Sequence, residues 1–350
     1  MCGMKLLIVT QRVDANDDNL GAFYQWFERF SKYFEHVTIL TSFRGEVSLP
    51  GNVSVYSFGK EKGYGRLRRF WTFLELFSRH YARCDIVLFH MIPEYVLAVL
   101  PFLISLKRRT ALWYAHKSVT RTLRYAEHFV DYILTSSPAG FRMPSKKVFY
   151  VGQAINTDLF IPVAKETSMH SSALRMITFG RISPIKDLDV MVRSCALLKG
   201  SWPHQWTLSV VGGPITKNDE EYCVVLKKLV QEKGLADHIH FLGPRPYREM
   251  PGILKEHDLF LNMSRTGSLD KTVLEAMSSG LSVIVSNEAY VSVVPPAYFL
   301  EHSSPEFLAG RIKSLAFEER PNLALRSIVI EKHGLENTIR KIVSILTSPF

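Results

Sequence analysis

Two rhythms of hydrophobic residues alternate along the chain. Short apolar runs at 5–10, 36–41, 53–58, 85–89, 111–115, 131–135 and 147–151 are separated by stretches whose apolar residues return every three or four positions, notably 20–34 and 95–106. Brief continuous runs predict strands buried on both faces, and the slower period predicts helices lying over them. After the polar stretch 164–172 the pattern restarts at Met176, with further strands expected near Leu208, Ile239, Leu259, Val283 and Tyr298. Strand and helix in alternation specify parallel sheets covered on both sides. A length of 350 residues, 47% of them hydrophobic, suits two such domains, and the polar stretch is the best linker. The expectation is an α/β protein of two doubly wound domains, 1–163 and 164–334, with a ligand at the carboxyl ends of the strands.

Two turns of the second half carry the candidate chemistry. The run Met176-Ile177-Thr178-Phe179 ends at Gly180, and helical spacing begins at Leu188, Met191, Val192 and Cys195. Arg181 and Lys186 therefore lie on a strand-to-helix turn, where free N–H groups and two cations can hold a diphosphate. Solvated surface charge is the plain alternative. Later, residues 258–263 read as a strand, 264–270 as a polar loop containing Gly267, and 271–279 as a helix closed by Gly280. That second loop offers backbone N–H groups around Leu269, Asp270, Lys271 and Thr272. Glu275, one turn into the helix, can accept two ribose hydroxyls or merely favour the helix dipole.

The ordered set Ile177-Thr178-Phe179-Gly180-Arg181-Ile182-Ser183-Pro184-Ile185-Lys186, Leu208-Ser209-Val210-Val211-Gly212-Gly213-Pro214, His240-Phe241-Leu242-Gly243-Pro244 and Val273-Leu274-Glu275-Ala276-Met277 resembles the donor-binding half of the family 4 retaining glycosyltransferases. Val148 to Phe160 is similar to the segment with which that family closes its first domain. The resemblance covers most of residues 4–345 and is strongest over 147–286. It implies the GT-B fold, two Rossmann-like domains facing each other across a cleft, with residues 335–350 forming a helix that returns to the first domain. It further implies a nucleotide-diphosphate sugar as donor, bound through Gly180, Gly212, Gly243, Pro244, the 269–272 loop and Glu275, with retention of anomeric configuration and no essential metal or cofactor. Arg181 and Lys186 would stabilise the departing diphosphate, and His116 matches a histidine presented to the donor sugar.

One position departs from the family. Relatives carry a glutamate eight residues before the one matching Glu275; here it is Gly267, followed by Ser268-Leu269-Asp270-Lys271. Either Asp270 or Lys271 contacts the sugar instead, or the sugar lacks the usual hydroxyl pattern, or the protein is a weakened enzyme that senses a nucleotide or glycan. In the first half, the loop after the first strand holds Asp14, Asp17, Asp18 and Gly21, read as acceptor-binding groups or as a capping and solvating turn. This loop lacks the Gly-x-Gly-x-x-Gly turn of dinucleotide-binding dehydrogenases, which argues against NAD. His90 and His116 both stand at strand ends, as binding groups or as hydrogen-bonded structural residues. Neither has a helix-spaced partner of the kind a catalytic metal needs.

Charge bears on the acceptor. Residues 1–161 hold 21 Lys and Arg against 13 Asp and Glu, so most of the chain's net +10 lies in its first half. Arg66, Arg68 and Arg69 stand beside Leu67, Phe70, Trp71, Phe73, Leu74 and Phe77, and Lys107, Arg108 and Arg109 form a second cluster. Such a segment suits an anionic membrane surface, or it is a core helix with a basic edge. No nucleic-acid module accompanies it. No apolar run reaches the roughly twenty residues of a membrane span, and Met1-Cys2-Gly3-Met4-Lys5 leads straight into a strand, so a cytoplasmic protein, peripheral on the membrane, is expected. Cys2, Cys84, Cys195 and Cys223 are too scattered for a zinc site and are expected reduced. The function read from sequence is transfer of a sugar to a hydroxyl of a lipid-linked or surface-polysaccharide glycan.

Overall fold

A computed structural model describes residues 2–15, 17, 21–162 and 173–348. Backbone contacts group the chain into two units, Met1–Ala154 with Leu335–Phe350, and Ile155–Gly334. The polar stretch 164–172 lies outside the described residues.

The first unit is built on seven strands, β1 (Cys2–Val13), β2 (Phe34–Arg44), β3 (Val53–Ser57), β4 (Ile86–His90), β5 (Arg109–Trp113), β6 (Tyr132–Thr135) and β7 (Val148–Tyr150). Their order is β3-β2-β1-β4-β5-β6-β7, with every pair parallel. The helices are α1 (Gly21–Phe30), α2 (Arg66–Tyr81), α3 (Pro93–Ala98), α4 (Leu100–Ser105), α5 (Arg121–His128) and, from the chain's end, α12 (Leu335–Thr347). Alternation along β1 shows why both faces are covered. Leu6 and Ile8 join one core with Trp26, Phe27 and Phe30 of α1 and Ile339, Ile342 and Leu346 of α12, while Leu7 and Val9 join the other with Phe73 and Phe77 of α2.

The second unit is a five-stranded parallel sheet made of β8 (Ala173–Phe179), β9 (Gln205–Val211), β10 (Ile239–Gly243), β11 (Leu259–Asn262) and β12 (Ser282–Val285), in the order β10-β9-β8-β11-β12. Its helices are α6 (Leu188–Ser201), α7 (Lys217–Glu232), α8 (Met250–Lys255), α9 (Lys271–Ser278), α10 (Pro305–Leu315) and α11 (Leu323–His333). Met176, Leu208, Leu261 and Ile284 form a core with α6, α7 and α10. In both sheets the winding reverses beside the first strand, between β1 and β4 and between β8 and β11, and such reversals open a crevice at the carboxyl ends.

Three expected elements need correction. The helix expected over 20–34 ends at Phe30, because Phe34 already begins β2. The one expected over 95–106 is two short helices that meet at Val99, with Pro101 in the first turn of the second, where its missing N–H costs nothing. The strand near Tyr298 is a single 3₁₀ turn, Pro296–Tyr298, whose neighbour Phe299 makes only an isolated bridge to Val285.

Candidate functional site

At the carboxyl ends of β8, β9 and β10 the chain turns on three glycines with positive φ, Gly180 (132°), Gly212 (128°) and Gly243 (70°). These turns are hydrogen-bonded side by side: the Gly180 amide donates to the Val211 carbonyl at 3.0 Å, and the Gly212 amide to the Gly243 carbonyl at 2.9 Å. A Cβ on Gly212 would lie 1.9 Å from the Gly180 carbonyl oxygen, so no side chain fits there. Pro244 stands over Gly213, 3.1 Å from where its Cβ would be.

Both cations predicted from sequence lie on this shelf, and both already face carboxylates. Lys186 ends a 3₁₀ turn, Pro184–Lys186, and its Nζ is 2.8 Å from Asp270 Oδ2 on the loop after β11. Exposed Arg181 points its Nε at Asp219 Oδ2, 3.8 Å away. Burial pushes the Asp219 carboxyl up, but the Thr216 and Ile215 amides, the Thr216 hydroxyl and Arg181 outweigh it and hold the group below its ordinary range. A small cavity opens here, lined by Gly180, Arg181, Lys186, Met191, Asn262 and Met263.

The start of α6, expected to hold an anion, is closed. Asp187 and Asp189 flank it, Arg265 Nε is 2.7 Å from Asp187 Oδ2, and the Asp189 amide donates to the Tyr222 hydroxyl at 3.1 Å, which in turn donates to Asp189 Oδ1. Two acids there repel the ligand that the helix dipole would attract.

The start of α9 is arranged differently. Asp270 is its N-cap, yet its carboxylate caps no helical amide; Lys186 Nζ and Asn262 Nδ2 donate to Oδ2, and Thr266 Oγ1 donates to Oδ1 at 3.2 Å. The Tyr290 hydroxyl holds the Asp270 carbonyl at 2.5 Å, and Asn287 Nδ2 holds the Ser268 carbonyl at 2.8 Å. Gly267 (φ 65°) takes the left-handed turn inside this tied loop. Two buried hydroxyl oxygens on the same turns, Ser183 Oγ and Thr272 Oγ1, have no hydrogen-bond partner among the described residues. Native proteins seldom leave such groups unsatisfied without a ligand or water to meet them. Leu269 is buried.

Glu275 is not a solvated charge. Its residue is 2% exposed, its Oε1 accepts from the Tyr247 hydroxyl at 2.9 Å, and Lys271 stands one helical turn before it. Burial raises the Glu275 carboxyl to about 7 against the opposing pull of Tyr247 and Lys271. Burial likewise lowers the Lys271 amine to about 8, with Glu275 opposing.

Sequence reasoning missed Asn262, Thr266, Asp219, Tyr247, Asn287 and Tyr290. Asn262 is visible as the last residue of a strand beside a polar loop. Tyr247 lies 28 positions from the carboxylate it holds, and no local spacing announces it.

The first unit's candidates scatter. His90 is corrected to a core residue: it is 5% exposed, its Nδ1 lies 3.0 Å from Thr10 Oγ1, and its ring packs on Phe23 at 4.2 Å. His116 is exposed on the loop after β5; its Nδ1 accepts from the Ser118 amide at 3.1 Å, and its own amide donates to the Gly140 carbonyl. Asp17 is ion-paired with Arg12 at 2.6 Å, and Asp14 packs against Gly45. Gly21 begins α1, and Asp18 lies outside the described residues. Among the described residues no group of three or more His, Cys, Asp and Glu could hold a metal ion, and no helix is long and apolar enough to cross a membrane.

Residues 173–316 match the sequence profile of the family described as Glycosyl transferases group 1. The second unit is a glycosyl transferases group 1 domain. A D-inositol 3-phosphate glycosyltransferase of Thermobispora bispora is 28% identical over 155 residues, a match covering 42% of this chain and 36% of that relative's length. Among solved structures, Anabaena HepE in complex with UDP and glucose is similar with a TM-score of 0.78 at 15% identity, covering 99% of this chain and all of that one. WaaG, a glycosyltransferase involved in lipopolysaccharide biosynthesis, is similar with a TM-score of 0.70 at 13% identity, covering 98% of this chain and 100% of that one. These structural likenesses establish the fold, GT-B, into which the group 1 domain is built.

Proposed function

We propose that the protein is a retaining glycosyltransferase of family 4 that takes a sugar from a nucleoside-diphosphate donor. The observation that carries this reading is the group 1 domain's switch point, where Arg181, Lys186 and two unpartnered hydroxyls share the turns that begin at the glycine shelf and end at α9. Charge accumulates on the diphosphate as its bond to the anomeric carbon breaks. Arg181 and Lys186 then stabilise the transition state more than the bound donor, which is the source of the acceleration. The Thr272 hydroxyl and the first amides of α9 add donors for the same oxygens. The ribose would reach Glu275 past the Tyr247 hydroxyl, and His116 would act at the transfer step. A diphosphate oxygen takes the acceptor proton, so no protein nucleophile and no metal is needed.

The acceptor we propose is a lipid-linked or surface-polysaccharide glycan met at an anionic membrane on the cytoplasmic side. α2 buries Phe73 and Phe77 but leaves Leu67 78% and Trp71 66% exposed, with Phe70 beside them and Arg66 and Arg68 alongside, a face suited to lipid headgroups. Lack of binding to vesicles of anionic lipid at low salt would remove this part. Transfer itself is tested by incubating the purified chain with UDP-, GDP- and ADP-sugars, a glycolipid acceptor and a chelator. An α-linked product from an α-linked donor, undiminished by the chelator, is the expected outcome; an inverted product contradicts the mechanism. Gly267 favours the second reading, a nucleotide- or glycan-binding protein with weakened turnover, and binding without any transfer would support it.

A further inference from the structure

We infer that Asp270 is an internal counter-ion of the donor site, neutralising Lys186 while the site is empty and competing with the diphosphate for it. The inference rests on the proposal that Lys186 binds the diphosphate, and it adds how that site is charged and emptied. An aspartate at a helix N-cap ordinarily turns its carboxylate onto the helix's own first amides. Asp270 does not: the carboxylate faces Lys186 Nζ at 2.8 Å, with Asn262 Nδ2 at 3.1 Å and Thr266 Oγ1 at 3.2 Å fixing it there. Lys186 has only 21% of its side chain exposed, so its ammonium is largely stripped of water and needs an anion close by. Asp270, 13% exposed itself, is that anion.

The pair at Arg181 is looser. It spans 3.8 Å, and the arginine side chain is 41% exposed, so water screens it and Asp219 is already held by its own helix cap. The tight competition is therefore at Lys186. An arriving diphosphate must win the ammonium from a carboxylate held by two further donors, and when the nucleoside diphosphate is left behind after transfer, the same carboxylate is poised to take the ammonium back. Asp270 weakens product binding and speeds release. It is a positioning residue, acting through Lys186.

The test is a calorimetric titration of wild type, Asp270→Asn, Asp270→Glu and Lys186→Met with UDP, GDP and ADP, beside unfolding curves for each variant. Asp270→Asn keeps the side chain's shape and removes its charge; it is expected to tighten binding of the accepted nucleotide about tenfold and to slow its dissociation. Asp270→Glu should return the affinity to within about twofold of wild type, and the gain should vanish in the Asp270→Asn, Lys186→Met double variant. Unchanged or weaker nucleotide binding by Asp270→Asn, in a background where Lys186→Met does weaken it, overturns the counter-ion. If Lys186→Met leaves binding unaltered, or none of the three nucleotides binds wild type, the donor-site proposal itself falls.

Discussion

The two units reverse their winding at equivalent places and fill them with opposite chemistry. Between β8 and β11 the crevice carries a lysine, an arginine, carboxylates and unpartnered hydroxyls. At the corresponding ends of β1 and β4, Thr10 pairs with His90, and the rings of Phe23 and Trp26 lie against the imidazole. One topology supplies the location in both, and the side chains at the strand ends decide whether it presents charge or packs a core. Variants at the two places should therefore fail in different ways.

The largest effect is expected on transfer. Lys186→Ala removes a charged donor to the leaving group and should lower kcat by about two to three powers of ten, corresponding to about 2 to 4 kcal/mol of barrier, while the fold is weakened as well because Asp270 loses its cation. Equal loss on replacing an exposed lysine of the first unit would erase the contrast. His90→Ala should do the reverse: it empties a packed aromatic site and strands the Thr10 hydroxyl, costing about 2 to 3 kcal/mol in a denaturant titration while affinity for a nucleoside diphosphate is kept. Gly212→Ala couples both failures. Its Cβ collides with the Gly180 carbonyl, so a loss of about 1 to 3 kcal/mol should accompany weakened nucleotide binding.

A smaller effect separates Glu275 from a surface carboxylate. Its pKa in the folded protein is raised to about 7 from an ordinary 4.5, so the folded state holds the proton more tightly than the unfolded chain does. That contribution is fully present below about 4.5 and is lost as pH rises toward 7, so stability should fall across this window. Glu275→Gln should flatten the fall, as followed by thermal unfolding from pH 4.5 to 7. A profile unchanged by the substitution would place the carboxylate in water. The smallest effect on the fold is expected at Trp71: Trp71→Ser should leave unfolding within about 0.5 kcal/mol while reducing retention on anionic vesicles.

The sequence made the sheets legible because buried parallel strands need short unbroken apolar runs, and all seven strands of the first unit fall where those runs do. It also singled out Gly180, Arg181, Lys186 and Asp270, since strand-to-helix turns advertise themselves by glycine and charge. What it could not give was pairing. Nothing local says that Lys186 meets Asp270 across 84 positions, that Tyr247 reaches Glu275, or that Asp189 and Tyr222 close the start of α6. A histidine at a strand end looks the same whether it faces solvent, as His116 does, or Phe23 and Thr10, as His90 does. Burial, set by what the rest of the chain packs against it, made that distinction.

Most depends on whether the crevice of the group 1 domain binds a nucleoside diphosphate through its paired cations. Calorimetry of wild type and of the Arg181→Ala, Lys186→Ala double variant with UDP, GDP and ADP decides it. Wild type should bind one of these saturably, and binding should be lost when both cations are removed and kept when His90 is replaced. Equal affinity in wild type and in the double variant would contradict a cationic donor site.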